Sequence, residues 1–267
     1  MHVRKLLIGA LSMALTSVPV MAQEKDLRPA AALQDNSFLI EEAYNQEPGV
    51  VHHAGLWRRQ GRDWFVNFTQ EWPLVTQTHQ VSYSVPYSWL RAEGTDGFGD
   101  LQLSYRYQLS TETASRPAIA PRFTLILPTG DEDKGLGSGA MGYQFNLPVS
   151  KIVSDRVKLH FNAGVTSFAD VAGHHPTSYN LGGSAIYAAT NQTNLLIEVL
   201  ADWAETVSDG GLLKREFALT LLPAIRHAIN LPQGQLVLGA GTPITFAEGD
   251  VSYGVIFLLS FEHNFLR

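Results

Sequence analysis

Clusters of ligand-bearing side chains are the features of this sequence that could do chemistry, and few have the spacing a reaction needs. The stretch P-T-G-D-E-D-K-G-L-G-S-G, residues 128–139, sets Asp131, Glu132 and Asp133 side by side among glycines. Ca²⁺ takes about six to eight oxygen ligands, but the EF-hand spacing is missing and the glycines do not follow a phosphate-binding loop. A solvated loop is the expected form. His52 and His53 are neighbours on a segment that reads as a strand, so their side chains leave on opposite faces and cannot grip one ion together. His174 and His175 lie in a loop without adjacent carboxylates. The chain has no cysteine, which removes thiolate nucleophiles, disulfides and Cys-based metal centres. Hydrolysis by serine would need a His general base within hydrogen-bond reach on one face. Ser167 and His160 are seven residues apart on one proposed strand, with opposite parity, and no G-x-S-x-G occurs. No catalytic residue, metal or cofactor is expected.

A second set of ionisable residues is defined by alternation rather than by clustering. Glu71, Arg106, Arg122, His160, Glu198, Asp202, Glu216, Arg226 and Glu262 each stand on the polar phase of a segment in which apolar and polar residues alternate. If those phases face an enclosed lumen, the nine are pore-lining candidates. They then form either a selectivity ring for a solute or a salt-bridged filling that keeps a narrow barrel closed. The sequence leaves both open.

The elements that position them read as strands. In D-L-Q-L-S-Y-R-Y-Q-L (100–109), Leu101, Leu103, Tyr105, Tyr107 and Leu109 share one face while Gln102, Ser104, Arg106 and Gln108 share the other. H-Q-V-S-Y-S-V-P-Y-S-W (79–89) and R-D-W-F-V-N-F-T-Q-E-W (62–72) repeat the pattern. So does the closing stretch, where Tyr253, Val255, Phe257, Leu259, Phe261 and Phe265 oppose small or polar residues, interrupted by Ile256 and Leu258. About twelve strands follow, near 49–58, 62–73, 77–89, 98–109, 118–128, 141–151, 156–168, 178–190, 194–206, 215–229, 234–246 and 250–265. Tight connections at 154–156, 191–193 and 231–234 alternate with long glycine-bearing ones, the pattern of an antiparallel transmembrane β-barrel with short periplasmic turns and longer extracellular loops. All five tryptophans, Trp57, Trp64, Trp72, Trp89 and Trp203, fall near strand ends, where a membrane interface would hold them. A water-soluble β-sandwich shares the period of two but gives no reason for that placement.

Composition agrees. Charged residues are 16% of the chain against about 25% in ordinary soluble domains. Arg4 and Lys5 precede a short apolar run ending V-M-A, which reads as a signal peptide over 1–22 cleaved before Gln23. Losing those two bases leaves 17 basic against 25 acidic residues, a formal charge of −8 that argues against nucleic acid as a partner. Residues 23–48 form a periplasmic or plug segment, with helical character over 35–48 ended by Pro48, and 49–267 the barrel. The expected partners are outer-membrane lipid, a small-molecule solute and the barrel-insertion machinery. The aromatic closing strand resembles the signal that this machinery reads, although Leu266 and Arg267 follow Phe265.

Four stretches resemble the MetA-pathway phenol-degradation-like family of outer-membrane transporters. They are F-L-I-E-E-A-Y-N-Q-E-P-G-V-V-H-H (38–53), G-F-G-D-L-Q-L-S-Y-R-Y-Q-L (97–109), P-R-F-T-L-I-L-P-T-G-D (121–131) and G-Y-Q-F-N-L-P-V-S-K (142–151). The resemblance spans roughly residues 35–170 and implies an outer-membrane β-barrel that takes up small hydrophobic or aromatic compounds. It supplies no functional residues. A lipid-modifying enzyme and a structural barrel with a filled lumen are the competing readings.

Overall fold

A computed structural model describes Leu33 and residues 37–91, 93–208 and 211–265; the signal peptide expected over 1–22 lies outside the described residues. Twelve strands form one closed antiparallel barrel. They are β1 (Val50–Gln60), β2 (Asp63–Leu74), β3 (Thr76–Leu90), β4 (Thr95–Phe98 continued by Leu101–Tyr107), β5 (Ala118–Ile119 continued by Arg122–Leu127) and β6 (Gly142–Ser154). The rest are β7 (Val157–Phe168), β8 (Thr177–Ala188), β9 (Thr193–Val207), β10 (Leu213–Leu231), β11 (Gly234–Gly241 continued by Ile244–Ala247) and β12 (Asp250–Asn264). Each strand pairs with the next, and β1 pairs with β12 from Val50↔Asn264 to Gln60↔Gly254, so no edge is left open.

The breaks in β5 and β11 each fall at a proline, which has no N–H to donate to a ladder, although Pro86, Pro148 and Pro223 sit within unbroken strands. The interruptions fall at Pro121 and Pro243, whose carbonyls still accept from Tyr107 N (3.0 Å) and Gly254 N (2.9 Å). In β4 the break at Gly99–Asp100 faces Pro86, whose carbonyl accepts from Gly99 N at 2.9 Å.

The period of two sorts side chains as the sequence predicts. Large apolar residues stay exposed all around the outside, including Phe123, Phe145, Phe161, Ile197, Phe217, Leu238 and, on β12, Tyr253 and Phe257. Such an exterior suits hydrocarbon, whereas soluble monomers rarely expose apolar patches of that extent. Aromatic side chains gather at both rims. Trp89, Tyr87 and Phe98 pack together at one rim, with ring centroids 4.5 and 5.0 Å apart, and Trp72 meets Tyr83 at 5.5 Å at the other. On β2, Trp64 and Trp72 are separated by roughly 26 Å of strand at about 3.3 Å per residue.

Connections differ from expectation in one respect. The long loops 128–141 and 169–176 share the rim opposite the termini, as predicted, but two-residue turns at Gly61–Arg62 and Glu248–Gly249 lie there too. The ten-residue connection 108–117 is on the terminal rim. At Glu248–Gly249 both residues have positive φ, 48° and 88°, the twist-matched hairpin geometry that needs no longer loop.

Loop 128–141 is folded, not merely solvated. The Asp100 carboxylate accepts hydrogen bonds from Gly130 N (3.0 Å), Ser138 N (2.8 Å) and Ser138 Oγ (2.7 Å). A Cβ on Gly137 would lie 2.6 Å from Asp100 Oδ1, so the close approach requires glycine there. Asp131 pairs with Lys134 at 2.8 Å, and the ammonium holds its carboxyl below the usual range. Asp100→Ala removes three charge-assisted bonds. Limited proteolysis of the folded barrel should then cut within 128–141 about tenfold faster, with the barrel itself intact; an unchanged cleavage rate would contradict this anchoring.

Candidate functional site

The inner wall does not enclose an empty pore at its terminal half. Of the described residues before β1, Leu33 and residues 37–46 lie within it. Leu33 donates its N–H to Asn191 O (3.0 Å) and is buried against Ala228 and Val237. Phe38 sits in an apolar cluster made by inward side chains of β8, β9, β10 and β12: Ile186, Leu196, Leu222, Ile256 and Leu258. From Phe38 to Gln46 the backbone runs past polar inward side chains, and these take its hydrogen bonds.

Glu198 accepts from the N–H groups of Phe38 (3.3 Å) and Leu39 (2.7 Å). Asn162 behaves like a neighbouring strand, accepting from Glu41 N (2.7 Å) and donating to Glu41 O (2.8 Å). Ser150 Oγ accepts from Ala43 N (2.8 Å), and Gln108 accepts from Asn45 N (3.0 Å) while donating to Ala43 O (2.7 Å). Arg106 spreads its guanidinium over three acceptors, Glu42 O (3.2 Å), Tyr44 O (2.6 Å) and Asn45 Oδ1 (2.8 Å). Gln80 accepts from Gln46 N at 2.7 Å.

This corrects the helical expectation for 35–48, since the described residues of that stretch are extended or bent. A helix satisfies its amides locally, four residues back; here the lumenal side chains offer partners instead, and a buried backbone group needs only one solution.

The nine sequence-derived candidates can be placed individually. Arg106 and Glu198 bind the segment's backbone as described. Arg122 forms an ion pair with the segment's Glu41 at 2.6 Å and bonds Gln144 at 2.8 Å. Glu262 accepts from Gln46 Nε2 at 3.4 Å, and Glu71 faces His52 at 3.4 Å. His160 meets Ser150 Oγ at 2.6 Å, and Arg226 is wholly buried. Asp202 borders the open half of the lumen. Glu216 stands apart, near the loop rim, paired with Lys214.

Sequence reasoning missed the apolar half of the wall. Ile256 and Leu258 read as interruptions of a polar face, yet both are buried beside Phe38. Gly182 and Gly239 supply room: a Cβ on the first would lie 2.3 Å from Ile40 Cδ1, and on the second 2.6 Å from the Phe38 ring. Inward glycines within strands were the available signal.

The consequence is a filled cross-section. Inward side chains from eleven of the twelve strands, among them His52, Gln80, Arg106, Ser150, His160, Glu198, Arg226, Val237 and Ser260, are less than 9% exposed. Beyond the segment, toward the loop rim, the lumen opens into two adjoining spaces that share Leu39, Leu200 and Asp202. Arg58, with its guanidinium 4.9 Å from the Phe65 ring centroid, borders the smaller; Glu41, Arg122, Asn162 and Asn180 border the larger. On the outside of β6–β9, Gly183 and Ala185 floor a shallow apolar depression walled by Leu159, Phe161, Ile197 and Val199.

Ser150 and His160 make a serine–histidine contact that sequence spacing did not reveal. Both are buried under the segment, and Ser150 Oγ is engaged with Ala43 N, so no substrate can reach the hydroxyl in this arrangement.

No protein-family model matches the sequence, and no curated protein matches it significantly. Among solved structures, the chain is similar to the COG4313 outer membrane channel from Pseudomonas putida F1, with TM-score 0.64 and 13% identity over 86% of this chain and 99% of that one. It is also similar to the NanC porin (TM-score 0.52, 9% identity, 79% and 98%) and the KdgM porin (TM-score 0.51, 10% identity, 79% and 98%). At such identities the likeness is one of fold.

If Phe38 anchors the segment, Phe38→Ala should cost about 3–5 kcal/mol. It should lower the temperature at which the folded band disappears on unboiled gels. Glu216→Gln, at the rim, should change stability by no more than about 0.5 kcal/mol. Equal effects would contradict the placement.

Proposed function

We propose that this chain is an outer-membrane channel for the uptake of small hydrophobic or aromatic compounds, closed by its own residues 37–48. The observation that carries the reading is the ring of buried inward side chains around that segment. Support for the location comes from the apolar exterior, the two aromatic rims and the fold shared with outer-membrane channels. In this account a signal peptide directs export, the insertion machinery reads the closing strand, and lipid covers the outward rows.

A solute enters from the loop rim into the space bordered by Arg58, Arg122 and Asp202, where Leu39 and Leu200 offer apolar surface. The segment blocks the way onward. A polar solute would need the segment to leave; an apolar one would need the paired strands beside Gly183 to part, toward the depression outside them. Of the nine charged or ionisable candidates, Arg106, Arg122, Glu198 and Glu262 then hold the segment, with Asp202 and Arg122 facing the solute.

Planar-bilayer recording tests the closure. The full chain should show little steady current, and a variant lacking 37–46 should conduct at least about tenfold more. A large steady current through the full chain would contradict the account. A structural barrel is the second reading, favoured by the same filled cross-section, and it expects neither protein to pass solute. Gly183→Trp tests the sideways route. A Cβ there would have no neighbour closer than 3.7 Å, so the variant should fold. It should at least halve cellular uptake of a radiolabelled aromatic solute and leave the current of the deletion variant unchanged.

A further inference from the structure

We propose that His53 and His263 form a transition-metal site on the outer wall, bridging the first and last strands of the barrel where it closes. Both side chains point outward at the terminal rim, with Nε2 atoms 3.2 Å apart. Their ring planes differ by 5° and their centroids are 5.3 Å apart, farther than the nitrogens. The rings therefore meet edge to edge, each aiming Nε2 at the other, with one N–H shared between them.

The register explains the meeting. His53 is opposite Phe261 and His263 is opposite Val51, so the two histidines are diagonal neighbours across the β1–β12 seam. The same alternation that separates His53 from His52 brings it to a histidine 210 residues away. Phe68 and Phe261 flank the pair, with centroids 6.5 Å from His53 and 5.4 Å from His263, and limit how far the rings can swing.

That separation suits coordination. Two imidazole–metal bonds of about 2.0–2.1 Å to nitrogens this far apart subtend roughly 100°, near the tetrahedral angle. Binding requires a modest turn of both rings off their common line. The ring that donates N–H moves that proton to its Nδ1, so both Nε2 lone pairs become available. Among the described residues no third His, Cys, Asp or Glu completes a group of three, so water supplies the remaining positions. An open two-nitrogen site of this kind favours Cu²⁺, and then Zn²⁺ or Ni²⁺, over hard cations. A metal held there would stabilise the barrel by mass action, since the two ligands are adjacent only when the seam is closed.

The test uses Cu²⁺ alone with the untagged full chain in detergent. Calorimetric titration should give one Cu²⁺ per barrel, with two imidazole nitrogens in its electron paramagnetic resonance spectrum and a higher temperature for loss of the folded gel band. His53→Ala and His263→Ala should each weaken binding at least about tenfold and abolish that stabilisation. His79→Ala, in the same rim and bonded to Tyr105 at 2.6 Å, should leave both unchanged. If an alanine variant does not fold, His53→Asn and His263→Gln serve in its place. Absence of saturable Cu²⁺ uptake by the folded wild type, or uptake that survives both substitutions, would overturn the proposal.

Discussion

A β-barrel that turns its apolar rows outward leaves itself a polar interior, and every buried polar group in that interior needs a partner. In this chain the partner is an extended piece of the same chain. Glu198, Asn162, Ser150, Arg106 and Gln80 reach inward from five strands, with Gln108 just past the end of β4, and they take the backbone hydrogen bonds of residues 38–46, so wall and segment satisfy each other. The arrangement depends on this reciprocity more than on charge pairing such as Arg122–Glu41 (2.6 Å).

Polar recognition alone would fix the segment's path without giving it a hydrophobic anchor. That is supplied by the opposite side of the wall, where Phe38 and Leu33 occupy apolar pockets built from β8 to β12. The lumen therefore has two unlike halves, one that hydrogen-bonds and one that buries. Loosening either would expose the other's groups to water at different cost: an unpaired amide in a dry lumen is costly, whereas a hydrated lumen repairs it. Such coupling suits an element that is stable in place and released as a unit.

The strands were legible in the sequence because a period of two is local, and twelve alternating segments with turns between them leave few architectures. The inward phase of Arg106 or Glu198 was legible for the same reason. What those residues hold was not, since Phe38 and Glu198 are 160 residues apart and no local pattern links them. The helical expectation for 35–48 failed because propensity counts only neighbours along the chain, while Asn162 and Ser150 competed for the same amides from across the lumen. Ile256 and Leu258 looked like exceptions to a polar face for a related reason: the side chain that they bury comes from the other end of the chain. The glycines of G-F-G-D and P-T-G-D acquire a physical meaning in the Asp100-centred fold of loop 128–141.

Amide hydrogen exchange of the refolded barrel in lipid nanodiscs addresses the reciprocity directly. The amides of Phe38, Leu39, Glu41, Ala43, Asn45 and Gln46 should exchange as slowly as those of the neighbouring strands, and Arg106→Ala should speed the whole group together. Exchange at the rate of an unstructured chain, in the wild type and within a stable barrel, would contradict the account.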